Sequence, residues 1–185
     1  MLDRAAPRRI AEYIGGRACA REAIRRLTGD IADLPVGPDR SPRWPGGLCG
    51  SISHCGRRAI AVAGETSHFI GIGIDLERCL SNAEARDIAD LVTSDKERQR
   101  LGTRLDALTL SLIFSAKESL FKALSSQTGP IPFFQSFQVS EIEHSNMRLS
   151  LIPDTLPGQH CETEFTVGLA ELGELFATFA LLAKP

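Results

Sequence analysis

The sequence predicts an α+β protein made of two similar halves, and three observations carry that expectation. A helical pattern followed by strand-like runs occurs before Gly71, and the same order recurs after it. The chain has 185 residues, which suits one domain or two small halves sharing a core. Hydrophobic residues make up 43% and charged residues 24%, enough apolar surface for a sizeable core. The halves are expected to be 1–70 and 71–185.

The first half opens with RRIAEYIGGRACAREAIRRL, Arg8 to Leu27, where Ile10, Ile14, Ala18, Ala20, Ala23, Ile24 and Leu27 recur near helical spacing. The Gly15-Gly16 pair marks a weak point, so the stretch reads as two helices or one kinked helix. Asp33 to Gly50, rich in proline and glycine, reads as a loop. Cys49–His54 and Ala59–Ala63 read as strands around the turn Cys55-Gly56-Arg57-Arg58, and Phe69–Leu76 as a third strand. In the second half Ala83–Leu101 is helical with a restart at Ser94-Asp95-Lys96-Glu97, an S-x-x-E capping box. A longer helix is expected from about Leu105 to Leu124. Strands are expected at Phe137–Ile142, Met147–Ile152, Glu162–Ala170 and Leu175–Leu182.

Composition excludes several classes of function. A formal net charge of -2 and the lack of a long basic run argue against nucleic acid. No stretch approaches the ~18 apolar residues of a membrane span, and the N-terminus lacks a signal-peptide apolar run. Cys19, Cys49, Cys55, Cys79 and Cys161 are odd in number and include no C-x-x-C, so reduced thiols in a soluble cytoplasmic protein are expected.

Four stretches carry chemistry. In GIGIDLER, Gly71 to Arg78, a strand would put Ile72, Ile74 and Leu76 on the core face. Gly71, Gly73, Asp75 and Glu77 would lie on the other, which is bare at the glycines. Asp75 and Glu77 would then stand about 6–7 Å apart. Like charges that close repel unless a cation lies between them or one takes a proton. Such oxygen ligands suit Mg²⁺; the alternative is a strand end with two solvated acids. In FSAKESLFKAL, Phe114 to Leu124, one helix face carries Leu112, Ile113, Ala116, Leu120 and Leu124. Glu118 and Lys122 lie opposite, either as a surface ion pair or as a cleft wall framed by Phe114 and Phe121. In GSISHCG, Gly50 to Gly56, His54 ends a strand, where it caps a turn or meets a phosphate. Arg8, Arg9, Arg17 and Arg21, with Arg40 and Arg43 beside Trp44, form either a phosphate-binding set or a solvated face.

Taken together, GGRACAREAI, PRWPGGLCGSISH, GIGIDLER and FSAKESLFKAL resemble, in order over residues 8 to 124, the 4'-phosphopantetheinyl transferases of the enterobactin-synthetase kind. The resemblance implies two similar α+β halves with coenzyme A in the cleft between them. It implies transfer of phosphopantetheine to a serine of an apo peptidyl or acyl carrier protein, leaving adenosine 3',5'-bisphosphate. By motif position Asp75, Glu77 and Glu118 would hold Mg²⁺, Lys122 would contact the pyrophosphate, and Ser53 with His54 would meet the CoA phosphates. Arg17 matches a basic residue for the 3'-phosphate, and Arg8, Arg9, Arg40 and Pro42 match the nucleotide end more loosely. Glu118 is the expected base. Arg57, Arg58, Arg78 and Arg98 are candidates for meeting an acidic carrier or are ordinary solvated arginines, and two halves in one chain suit a monomer. The family carries a further segment with a first strand ahead of the arginine-bearing helix. Only seven residues precede Arg8 here, so the first half either starts upstream or is shortened. Two other functions use the same residues: a CoA- or carrier-binding relative without turnover, and a Mg²⁺-dependent phosphohydrolase.

Overall fold

A computed structural model describes residues 6–37, 41–128, 134–153, 155 and 163–184, with residues 126–128 described in backbone only. The architecture is α+β. Helix α1 (Pro7–Thr28) precedes strands β1 (Leu48–Cys55), β2 (Arg58–Glu65) and β3 (Phe69–Arg78). Helices α2 (Asn82–Val92), α3 (Asp95–Leu101) and α4 (Ala107–Thr128) follow, then β4 (Phe137–Ile142), β5 (Asn146–Leu151), β6 (Thr163–Leu172) and β7 (Leu175–Ala183). Among the described residues, no helix is long and apolar enough to cross a membrane.

Pro7, in the first turn of α1, has a fixed φ that suits that turn. The helix closes at Gly29, whose φ of 83° is left-handed and whose N–H donates to Arg25 O. It runs unbroken through Gly15-Gly16, so of the two alternatives read from sequence the two-helix one is set aside. A Cβ at Gly16 would lie 2.7 Å from Ile52 Cγ2, so the missing side chain lets α1 approach β1 closely. Ala20, Ile24 and Leu34 form a small core with Trp44, Leu48, Ile52, Ala61 and Ala63. The expected apolar stripe is only partly used, since Ile14 and Leu27 are exposed.

The strands divide into a two-stranded sheet, β1-β2, and a five-stranded antiparallel sheet in the order β3-β7-β6-β5-β4. The free edge of β3 faces β1, and side chains make the joint. Ile74 N–H donates to Ser51 Oγ and Leu76 N–H to Ser53 Oγ, each at 3.1 Å. Helix α4 lies on the larger sheet and buries Leu110, Ile113, Ala116, Leu120, Ala123 and Leu124 in the larger core. Phe137, Val139, Met147, Leu149, Leu151 and Val167 meet them there. Both α2 and α3 begin with complete capping boxes, Ser81/Glu84 and Ser94/Glu97, and the second is the restart expected from sequence.

The glycine face of β3 is not bare: residues 71–76 are all buried, because α4 lies on that face. A Cβ at Gly73 would come within 1.8 Å of Ser119 O and 2.7 Å of Ala123 N. These are backbone atoms, so no rotamer change relieves the clash. Gly73→Ala should therefore destabilise the protein by about 3 kcal/mol or more. Gly46→Ala, at a position with open space, should change stability by less than about 1 kcal/mol. Urea-unfolding midpoints of the two variants measure the contrast.

Candidate active site

The contact of α4 with β3 places Asp75 against side chains distant in sequence. Asp75 is buried. Its Oδ1 accepts from Ser53 Oγ at 2.9 Å and from Lys122 Nζ at 2.7 Å, and its Oδ2 accepts from Ser115 Oγ at 2.8 Å. Lys122 Nζ also donates to Ile74 O at 3.2 Å and lies 3.9 Å from Glu118 Oε2, so one ammonium bridges strand and helix. Glu118 and Lys122 are thus not an exposed pair: their side chains are 28% and 27% exposed, and Lys122 is nearer to Asp75 than to Glu118.

Two of the acidic groups, Glu77 and Glu118, hold their protons more tightly than free carboxyls, chiefly because they are buried. Burial pushes the Glu77 carboxyl up to about 7; Asp75 adds to the push, and Lys122 and Arg78 oppose it. Burial likewise raises Glu118, against the pull of Lys122. Beside Glu77, burial and the Glu77 charge raise the Cys55 thiol, whose sulfur lies 3.9 Å from Glu77 Oε2. Among the described residues, no three His, Cys, Asp or Glu side chains converge at metal-ligand spacing.

An open pocket of about 650 Å³ lies at the Glu77 end of β3. It is lined by Arg8 and Glu12 from α1, by His54, Cys55 and Gly56 from the β1–β2 hairpin, and by Glu77 and Arg78. Of the residues singled out from sequence, Arg8, His54 and Glu77 therefore share one pocket. Asp75, Ser53, Glu118 and Lys122 share the network at the same strand. Arg9 is exposed on α1 and is not among the lining residues. Arg17 stacks over the Tyr13 ring at 5.0 Å, and its buried Nε and Nη1 have no hydrogen-bond partner among the described residues. Pro42 forms an isolated bridge with Val36 in the loop, and Arg40 lies outside the described residues. Phe114 and Phe121 are partly buried against the larger core, Phe114 with its ring 5.3 Å from that of Phe134, and neither is among the residues lining the pocket.

Sequence reasoning missed several of the residues that hold this site. Ser111, Ser115 and Ser119 recur every fourth residue along α4, a hydroxyl stripe visible in the sequence. Ser115 and Ser119 both reach Thr178 on β7, which stands opposite Asp75 in the strand register. Lys117 sits four residues after Ile113 and three before Leu120, in the middle of the apolar face. That is the signal of a buried cation needing a partner. Its Nζ lies 2.9 Å from Glu97 Oε1 and donates to Val92 O at 2.8 Å, with both side chains almost wholly buried. Glu97 also caps α3 and accepts from Val139 N, so this ion pair ties α4 to α3 and β4.

Two family models match the chain. The 4'-phosphopantetheinyl transferase N-terminal domain matches residues 1–64, and the 4'-phosphopantetheinyl transferase superfamily matches residues 71–177. The chain belongs to the 4'-phosphopantetheinyl transferase superfamily. It is 38% identical over 155 residues to enterobactin synthase component D of Salmonella typhimurium, covering 82% of this chain and 63% of that protein. It is 40% identical over 129 residues to the Escherichia coli K12 protein of the same name, covering 69% and 60%. It is 38% identical over 125 residues to 4'-phosphopantetheinyl transferase Npt of Nocardia iowensis, covering 66% and 55%. The chain thus spans less than two thirds of the length of these relatives. Among solved structures, a holo-ACP-synthase from Plasmodium yoelii aligns with 64% of this chain and 97% of its own at TM-score 0.44 and 16% identity.

The site makes a pH-dependent contribution to stability. Between pH 4.5 and about 7 the folded chain keeps a proton on Glu77 that the unfolded chain has lost. The contribution is complete below 4.5 and disappears as pH rises through 7. Glu77→Gln should flatten that fall and leave the variant more stable than the parent at pH 8 by about 1 kcal/mol, after solvent screening of this half-buried group. Thermal melts in chelator at pH 5 and pH 8 test it. The Lys117–Glu97 pair gives a second expectation. Lys117→Met alone strands a buried carboxylate and should cost about 3–5 kcal/mol, while Lys117→Met with Glu97→Gln should recover most of that. Denaturant midpoints of both variants distinguish the outcomes.

Proposed function

We propose that this chain transfers the 4'-phosphopantetheine group of coenzyme A to a serine hydroxyl of an apo carrier protein and releases adenosine 3',5'-bisphosphate. The observation that carries the reading is the Asp75–Lys122 pair with Glu118 beside Lys122, while Glu77, two residues along the same strand, lines the pocket with Arg8 and His54. The relatives' names support it: one is called a 4'-phosphopantetheinyl transferase and others enterobactin synthase component D. On this reading the substrate lies between the halves 1–70 and 71–185.

The described carboxylates do not stand together at metal-ligand spacing, but their donor chemistry suits a divalent cation. Its donors are hard carboxylate oxygens, and burial holds two of the carboxyls above their usual range. Asp75, Glu77 and Glu118 would hold Mg²⁺, which supplies charge neutralisation at the attacked phosphoryl group. The chain's own groups do the rest. Lys122, partly exposed and already beside Asp75, binds a pyrophosphate oxygen. His54 and Arg8 bind phosphate at the pocket. The unpartnered, buried Arg17 nitrogens suit a second anion, the 3'-phosphate, towards which Arg9, Arg40 and Pro42 are assigned a looser role. Ser53 contributes by holding Asp75, and its reach to the CoA phosphates starts from that position. Glu118, with its raised affinity for protons, takes the serine proton directly or through a water.

An acidic carrier protein, peptidyl in a siderophore pathway or acyl, would approach the pocket mouth. Arg57 and Arg58 are exposed there at the hairpin turn beside Gly56, whereas Arg78 is paired with Glu84 and Arg98 with Asp90 and Asp95. The reading places a monomer in the cytoplasm, where CoA and carrier proteins meet.

Intact-mass measurement of an apo carrier protein incubated with CoA, Mg²⁺ and this chain should show the gain of one phosphopantetheine. Glu118→Gln and Lys122→Ala should each lower the rate by about 100-fold or more. Full activity of Glu118→Gln would remove the proposed base. Release of phosphopantetheine without a carrier would instead mark a phosphohydrolase.

A further inference from the structure

We infer that Thr178 is a positioning residue: acting through Ser115, it fixes the Asp75 carboxylate and so the side of the site that faces the ligand. Thr178 is fully buried on β7, directly across the ladder from Asp75, and its hydroxyl lies in a chain of hydroxyls. Ser119 Oγ contacts Thr178 Oγ1 and donates to Thr178 O at 3.0 Å. Thr178 Oγ1 lies 2.9 Å from Ser115 Oγ and donates to Ser115 O at 2.7 Å. Ser115 Oγ donates to Asp75 Oδ2 at 2.8 Å.

Proton counting gives the chain its direction. Each hydroxyl has one proton to give. A bond to a carboxylate is stronger than one between neutral hydroxyls, so the Ser115 proton belongs to Asp75. Ser115 then has only its lone pairs to offer Thr178, so the Thr178 proton points to Ser115, at its hydroxyl oxygen or its carbonyl. Ser119 in turn points its proton to Thr178. The share of each proton that lies on a hydroxyl oxygen, rather than on the Ser115 or Thr178 carbonyl, runs toward Asp75 and polarises the next bond. Without the Thr178 hydroxyl, the Ser115 rotor loses its second anchor and is free to turn from Asp75. The other Asp75 oxygen would then carry the whole restraint, through Ser53 and Lys122. Thr178 is not among the residues that line the pocket, and its hydroxyl reaches the Asp75 carboxylate through Ser115.

The inference rests on the transferase reading only where turnover is measured. Thr178→Val keeps the volume and removes the hydroxyl; Thr178→Ser keeps the hydroxyl and removes the methyl. In Thr178→Val, Mn²⁺ titrated by electron paramagnetic resonance with CoA present should bind roughly tenfold or more weaker. The kcat for carrier modification should fall similarly, the KM for CoA should stay within about threefold, and a crystal structure should show Asp75 turned from Ser115. Thr178→Ser should restore Mn²⁺ binding and kcat to within about threefold, and in a Ser115→Ala background Thr178→Val should add no further loss. Parental Mn²⁺ affinity and kcat in Thr178→Val overturn the inference. So does equal damage in Thr178→Ser, or losses that multiply in the double variant. If Thr178→Val did not fold, Ser115→Ala would decide, and parental Mn²⁺ affinity there would overturn it. A parent chain that modifies no carrier protein overturns the function proposed above and leaves the metal titration and the Asp75 geometry to judge Thr178.

Discussion

A carboxylate as deeply buried as Asp75 needs hydrogen bonds and a counter-charge to be tolerated, and it draws them from different parts of the fold. Ser53 comes from the small sheet, while Ser115 and Lys122 come from the helix lying on the large one. The side chain at the centre of the candidate site is thus also a fastening between the two layers. Its position is set by packing: α4 reaches β3 only because Gly73 offers no side chain to hold it away. Backbone contact comes first, and the charge network is its consequence.

Much of this was legible in the sequence because motif residues and periodicity are local properties. The alternation in GIGIDLER, the S-x-x-E restart at Ser94 and the i,i+4 spacing of Glu118 and Lys122 all act over a few residues. They reappear in the fold as a strand, a capping box and a pair on one helix face. The readings that changed depended on what packs against what. Gly15-Gly16 suggested a break because glycine weakens an isolated helix, yet β1 lies against Gly16 and tertiary contact outweighs propensity. The glycine face of β3 looked open because nothing local announces that a helix lies on it. Thr178 was not legible at all: its role comes from the register between β3 and β7, strands some hundred residues apart in the chain. Lys117 was half legible, since its place on the apolar face could be read but its partner Glu97 could not.

The two layers differ in how firmly they are built. The larger core joins α2 and α4 to the five-stranded sheet and is braced further by the Lys117–Glu97 pair. The smaller core rests on α1, the tryptophan-bearing loop and two strands. The pocket draws residues from both: Arg8 and His54 from the smaller unit, Glu77 from the strand of the larger. Its shape therefore depends on how the smaller unit sits against β3.

That seating is made by Ser51 and Ser53, which offer side-chain hydroxyls to β3 where a neighbouring strand would offer carbonyls. A backbone ladder is blind to residue identity, so evolution can adjust it only by remodelling whole segments. A seam closed by individual hydroxyls is written in single codons. The aperture between the two layers can therefore be tuned one residue at a time, leaving the cores on either side untouched.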